Sequence, residues 1–379
     1  MSFELINLLN FRARYHLFLP ITTKNKNMKP IQTFLKLLTV CTLGASLLPV
    51  SANDLPDPDG KPADLTKPVQ VFIIMGQSNT LEFGKVAGDK DGNLEHAVKT
   101  EKLYPFLIDD AGNWTTRKDV RQVHVMGSGG YDPSKTKKQR NAWLTVNSKI
   151  GIDTGAGHHL GNFIDAPVMV LRSSIGNRSL GWDLLPPGTP RYSHNGVEAA
   201  GYMETVKSKK DKTIVKWEKG GDMLQWYAGL QYDGDVARAK EVLANIGEYY
   251  PGATKYEVAG FIWFQGDKDR YNQVHAAHYG KNLQLLFDSL RKDFDAPDAK
   301  FVCGTLGQTS KENAKGNEKL IMDGMFAFAA DPQNKGKAAV VYTHPLSMGS
   351  SSNGHYGGNA KTYMNFGLGL GAAMVDLLK

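Results

Sequence analysis

Five short apolar runs constrain this chain more than any other feature: VQVFIIM (69–75), PVMVLRS (167–173), VAGFIWF (258–264), KFVCGTL (300–306) and AAVVYTH (338–344). Runs of this length read as strands buried on both faces. Helical patterns separate or follow several of them, notably at 235–250, 271–294 and 359–378. Buried strands alternating with amphipathic helices predict an α/β domain with a parallel sheet covered on both sides. The segment between the second and third runs, about 174–257, is too long for a plain crossover and reads as an insertion carrying functional loops. Its KSKKDK run (207–212) reads as a solvated loop rather than an anion site.

The amino terminus has a different character. From Met28 the chain shows a basic start, an apolar centre and a small-residue end, with Val50 and Ala52 where a signal peptidase reads. Residues 1–52 therefore read as a leader with a signal peptide whose true start is Met28, and cleavage leaves a mature chain beginning at Asn53. A linker follows at 53–68, and one domain is expected over 69–379. A bacterial protein, secreted or periplasmic, without stable membrane insertion after cleavage, is the expected setting. Residues 1–52 hold six Lys or Arg against Glu4 alone, which accounts for five of the seven net positive charges. The remainder gives no electrostatic case for nucleic acid. Of the two cysteines, Cys41 lies in the leader and Cys303 in an apolar run, so the mature form holds no intrachain disulfide. Val40 before Cys41 argues against a lipoprotein site.

Polar clusters stand at the carboxyl ends of the runs, where ligands gather in open α/β sheets. Ser78, in GQSN, follows the first run. Gly176 and Asn177, in GNRSLGW, follow the second. Gln265 and Asp267, in WFQGDKD, follow the third. His355, in SSNGHYGG, follows the fifth and opens the last helical pattern. A serine hydrolase needs a nucleophile on a tight turn, a base, an acid to orient the base, and donors facing the developing oxyanion. Each role has a candidate here.

These residues resemble the SGNH-type hydrolases, in particular the sialate O-acetylesterase-like group that includes acetylxylan esterases of carbohydrate esterase family six. The resemblance spans about Val69 to the end. It implies a flavodoxin-like three-layer α/β/α sandwich with a central, mostly parallel five-stranded sheet, no metal or other cofactor, and an acetylated carbohydrate as substrate. Carried over, Ser78 is the nucleophile and His355 the base. The backbone N–H groups of Ser78 and Gly176, with the Gln265 side chain, form the oxyanion hole, and Gln77, Asn79, Asn177 and Trp182 face substrate. The pattern places Asp three residues before the catalytic His, where this chain has Ser352, so Asp267 is expected to serve as the acid.

His344 also follows the fifth run and is the alternative base. His275 and His278, three apart on a helical pattern, lack a third metal ligand at a recognisable spacing. His158 and His159 read as part of a helix face, Asp153 as a helix-start residue, and Asp269 as a weaker acid than Asp267. Trp182, Trp217 and Trp226 are candidate sugar-stacking surfaces, although tryptophans are more often packed. Two further functional readings stay open: an inactive carbohydrate-binding protein that keeps the fold, and an esterase acting on a non-carbohydrate or peptidoglycan ester.

Overall fold

The structure is a computed structural model that describes residues 61–379; the leader, Cys41, the cleavage site and the first part of the linker lie outside the described residues. The first run forms β1 (Val69–Gly76). Val69, Val71, Ile73 and Met75 enter one apolar cluster while Phe72 and Ile74 alternate with them, and all six are 0 to 1% exposed. That two-sided burial is what a central parallel strand requires.

The sheet has seven strands rather than the expected five. The remaining members are β2 (Thr116–Met126), β3 (Lys137–Thr145), β4 (Val168–Ser173), β5 (Tyr256–Phe264), β6 (Lys300–Gly304) and β7 (Ala338–Val341). Their order is β7-β6-β5-β1-β4-β2-β3, parallel throughout except for β3, which pairs antiparallel with β2. Strands β2 and β3 carry few apolar residues in sequence, so a search for apolar runs passes over them. From β1 the chain runs to β2 and the edge strand β3, returns to insert β4 between β1 and β2, and then crosses to the other side of β1, which puts the carboxyl ends of β4, β1 and β5 side by side at the switch point.

Helices α2 (Leu230–Ala244), α3 (Tyr279–Asp293) and α4 (Gly316–Ala330) contribute side chains to the cluster on one face. Helices α1 (Ile152–Phe163) and α5 (Ala360–Leu378) pack together on the other. Their crossing is close: a Cβ on Gly155 would lie 2.6 Å from the Met364 carbonyl oxygen, and one on Gly367 2.1 Å from that of Ile152. The expected helix over 271–294 is broken at His278, with a short piece at Gln273–Ala277 before α3. The expected insertion holds two small antiparallel hairpins, Tyr192–His194 with Val197–Ala199 and Glu204–Val206 with Ile214–Lys216, and then α2. Among the described residues no helix is long and apolar enough to cross a membrane. Cys303 is a buried free thiol.

Gly76 explains how β1 can end in a tight turn. Its φ is 147°, and a Cβ there would sit 2.3 Å from the carbonyl oxygen of Phe264 on β5. Both the dihedral and the space exclude a side chain. Gly76→Ala is expected to lower the unfolding free energy by about 3 kcal/mol, read from urea denaturation, because backbone on two central strands must move. A loss below about 0.5 kcal/mol would show that the turn tolerates a Cβ.

Candidate active site

Beyond Gly76 the chain makes one 3-10 turn, Ser78–Thr80, closed by Leu81 N donating to Ser78 O at 2.9 Å and Thr80 N to Gln77 O at 2.9 Å. The Thr80 hydroxyl donates to Gln77 O at 2.8 Å and lies 2.5 Å from Ser174 Oγ, which ties the turn to the loop after β4. Ser78 is half-buried, and its hydroxyl makes no hydrogen bond among the described residues. Gly176 stands directly beside it: a Cβ on Gly176 would lie 3.2 Å from Ser78 Cβ. The backbones of two apposed loops thus meet at the Ser78 side chain. The Arg178 guanidinium braces this loop, donating to the carbonyls of Gly176 at 3.2 Å and Asn177 at 3.1 Å.

The side-chain amides expected near substrate do other work. Gln265, 1% exposed, directs Nε2 to Asp269 Oδ2 at 2.6 Å, Arg178 O at 2.8 Å and Gln77 Oε1 at 3.1 Å, while Tyr279 donates to its Oε1 at 2.8 Å. Both amide hydrogens are committed inside the protein, which corrects its expected place in the oxyanion hole. Gln77, also buried, accepts from Gln265 and from Lys268 N at 3.1 Å, so it joins β1 to the loop after β5 instead of facing substrate. Asn79, 1% exposed, donates to Ser352 O at 3.1 Å and fastens the Ser78 turn to the loop that carries His355. Trp182 packs against the cluster of Leu185, Tyr192 and Val274. Asn177 alone of the four expected substrate contacts is exposed, in a left-handed conformation with φ 58°. Of the other tryptophans, Trp217 packs on Tyr227 with ring centroids 4.6 Å apart and Trp226 lies under Arg178 at 4.8 Å.

Asp269, fully buried, accepts from Leu180 N and Gly181 N, each at 2.8 Å, as well as from Gln265. Burial pushes its carboxyl up to about 6 against those donors. It pins the loop after β4 to the loop after β5. Spacing could not have shown this, because the bonded partners are nearly ninety positions away.

His355 reaches the site on the long loop after β7. It and Tyr356, Gly357 and Gly358 hold φ of 50°, 51°, 67° and 73°, a left-handed turn that costs two non-glycine residues free energy. The surroundings enforce it. Tyr356 N donates to Ser351 O at 3.0 Å, the Tyr363 hydroxyl to His355 O at 3.3 Å, and Gly307 N to the buried Tyr356 hydroxyl at 3.3 Å. The His355 ring stacks on Phe83, with centroids 3.8 Å apart and planes within 4°. Burial lowers its pKa, and the charge of Asp267 opposes that shift.

Asp267 is buried, and its Oδ1 accepts from the Ser352 hydroxyl at 2.6 Å and from Arg270 Nε at 2.8 Å. Arg270 is held in turn by Glu318 at 2.9 Å. Among the described residues Asp267 Oδ2 accepts no hydrogen bond and the His355 ring makes none. Ser352, at the position where the motif leads one to expect an acid, thus holds Asp267 in place. The rival base His344 has its Nδ1 2.9 Å from Gly307 O. His275 is wedged against Gly181 with burial pushing it down to about 4, and His278 Nε2 meets Ser193 O at 3.1 Å, so these two share no ligand position.

One polar cluster was not read from sequence. Glu82, His124 and Asp153 bring ligand-type atoms together, Glu82 lying in the segment that follows the Ser78 turn. His124 Nε2 lies 2.6 Å from Asp153 Oδ2, and Glu82 is 3.7 Å from His124 Nδ1. Burial pushes His124 down to about 4 and Glu82 up to about 7. By donor type the trio could hold a divalent ion. Two guanidiniums already balance the two carboxylates, Arg140 at 2.9 Å from Glu82 and Arg172 at 4.0 Å from Asp153, and these would repel it. The alternation of Gln122 and His124 along a strand was the available signal.

The family model described as "Carbohydrate esterase, sialic acid-specific acetylesterase" matches residues 194–375, a stretch that includes Gln265, Asp267 and His355. No curated protein matches the sequence. Among solved structures, a protein from Arabidopsis thaliana is 14% identical with a TM-score of 0.45 and aligns over 82% of this chain and 99% of its own. A carbohydrate acetylesterase from Xanthomonas citri is 13% identical with a TM-score of 0.47, over 82% of this chain and 57% of its own. NanS is 14% identical with a TM-score of 0.39, over 73% and 78%. By the family match, the chain is similar to the sialic acid-specific acetylesterases among the carbohydrate esterases, the same group to which its strand-end motifs point.

Proposed function

We propose that the protein is an exported serine esterase that removes O-acetyl groups from a carbohydrate through an acyl-enzyme. The observation that carries this reading is one chain of contacts: Asn79 to Ser352 O, and Ser352 Oγ to Asp267. It joins the turn of Ser78, the loop of His355 and the end of β5 at the same edge of the sheet. Ser78 Oγ attacks the acetyl carbonyl carbon while its proton passes to the His355 ring, and the carbonyl oxygen becomes an oxyanion facing the N–H groups of Ser78 and Gly176. Collapse expels the sugar oxygen, which takes the proton from the imidazolium. Water then enters by the same route in reverse, releasing acetate and restoring Ser78. Asp267 supplies the negative charge that the imidazolium needs. Export rests on the leader pattern at 28–52.

One observation favours the inactive carbohydrate-binding reading: the His355 ring and Asp267 share no hydrogen bond. Catalytic hydrogen bonds in unliganded sites are often long and tighten only with substrate, so this alone does not decide. Hydrolysis of a chromogenic acetate ester does. Turnover is expected, with acetate released from at least one of acetylated xylan, acetylated sialate or acetylated pectin. The low pKa direction of His355 keeps it a base into mildly acidic solution, so kcat/KM is expected to hold as pH falls past the ordinary histidine range. Sugar binding without any acetate release would establish the inactive reading instead.

A further inference from the structure

A base that accepts a proton from a serine hydroxyl needs its ring fixed and its positive form stabilised. In most such sites a carboxylate bonded to the other ring nitrogen does both. Here the His355 ring stacks on an aromatic face, Phe83, parallel to it within 4° at 3.8 Å. The two rings are not free to drift apart. Phe83 belongs to the segment that leaves the nucleophile turn and enters the short strand Gly84–Lys85, which pairs with Lys149–Ile150. A Cβ on Gly84 would lie 3.2 Å from Ala360 Cα, and one on Gly358 3.1 Å from Phe83 O, so this segment is pressed against the end of the His355 loop and the start of α5. The left-handed turn at His355 then aims the ring onto Phe83. A cation over an aromatic face is attracted by the ring quadrupole, and the attraction grows when water is excluded.

We propose that Phe83 is a positioning residue for the base, its ring face setting the orientation of His355 and stabilising the imidazolium. The inference rests on the esterase reading. In the step it serves, the Ser78 O–H bond breaks, a ring N–H bond forms, and the positive charge appears against Phe83 before the proton leaves with the sugar oxygen. Other charges around the ring come from each packed element. The loop after β5 supplies Asp267, itself paired with Arg270. Phe83 is flanked in sequence by Glu82, paired with Arg140, and Lys85 lies close against Gly358.

Phe83→Leu keeps an apolar side chain of similar size over the ring, so burial is largely retained while the quadrupole is lost; Phe83→Trp keeps an aromatic face. With the leucine variant, kcat is expected to fall about ten- to a hundredfold at little change in KM. Its His355 pKa, read by NMR on the unliganded protein, and the acid limb of the kcat/KM profile are expected to move down together by about half a unit. The tryptophan variant is expected to restore both. Unchanged kcat and an unchanged His355 titration in a folded Phe83→Leu protein would overturn the proposal, as would a rescue by Phe83→Met equal to that by tryptophan. The NMR titration needs no substrate. A wild-type protein without ester turnover would sink the esterase reading, while the presence or absence of the pKa shift would still decide the ring contact. If the leucine variant fails to fold, the methionine and tryptophan pair carries the same comparison.

Discussion

Ser78→Ala is expected to lower kcat for acetyl esters by about a millionfold, to the residual level that binding and the oxyanion donors supply, while the thermal midpoint stays within about 2 °C of wild type. The two halves of that expectation come from separate observations. The hydroxyl forms no bond among the described residues, and the turn that carries it is closed by backbone hydrogen bonds and by Thr80, none of which the alanine removes. Nothing structural is lost with the oxygen. The chemistry loses its nucleophile. Ser174, in the neighbouring loop after β4, is no substitute, since it is fully buried and has its Oγ 2.5 Å from the Thr80 hydroxyl. Gly176 remains beside the position, so a substrate acetyl group is still bound with its carbonyl at the donors, and KM is expected to change little. Turnover within tenfold of wild type would remove the serine mechanism altogether. A large loss of stability would instead show that the turn depends on the hydroxyl in a way its hydrogen bonds do not reveal.

The strands that were legible are those whose burial is apolar on both faces. Strand β2 is also largely buried, yet the buried residues along it include Arg117, Asp119, Arg121, Gln122 and His124, each of which has a polar partner. Arg117 pairs with Asp119, Arg121 donates to Tyr249 O at 2.8 Å, and His124 meets Asp153. An apolar-run reading cannot see a strand whose interior is polar and paired. Strand β3 escapes for the opposite reason, since as an edge strand it is largely exposed and rich in Lys, Arg and Asn. The site divides in the same way. The placement of Ser78, Gly176 and Asp267 at one edge of the sheet was legible, because they stand where buried runs stop and a parallel sheet brings such ends together. The direction of an amide was not. Gln77, Asn79 and Gln265 sit within three positions of a strand end, and only the folded backbone shows that they point inward to fasten loops together. The anchoring bonds of Asp269 were hidden for the same reason.

The role of Asp267 gives the second large effect. Asp267→Asn is expected to lower kcat about ten-thousandfold, as loss of the charged partner does where an imidazole must become cationic, with a modest fall in stability from the weakened Arg270 pair. Ser352→Ala is expected to cost about tenfold. The asymmetry follows from how the carboxylate is held. Its Oδ1 has two donors, Ser352 and Arg270, so removing the hydroxyl leaves one anchor in place and the charge intact. Its Oδ2 accepts nothing among the described residues and is the oxygen available to His355 when substrate tightens the site. The asparagine variant keeps an acceptor for the Ser352 hydroxyl but carries no charge, so the loop stays tied while the imidazolium loses its counter-ion. The measurement is kcat for both variants across pH. With the carboxylate gone, the acid limb for Asp267→Asn is expected to move to lower pH, because the charge that raises His355 is removed. Activity retained within tenfold in Asp267→Asn would end its role as the acid. The carbonyl of Ser352 is already engaged by Asn79 at 3.1 Å, so that result would leave the Phe83 stack as the main support of the base. Equal losses in the two variants would mean instead that the Ser352 hydroxyl is needed to hold the carboxylate, and that the serine standing in place of the usual acid is part of the relay.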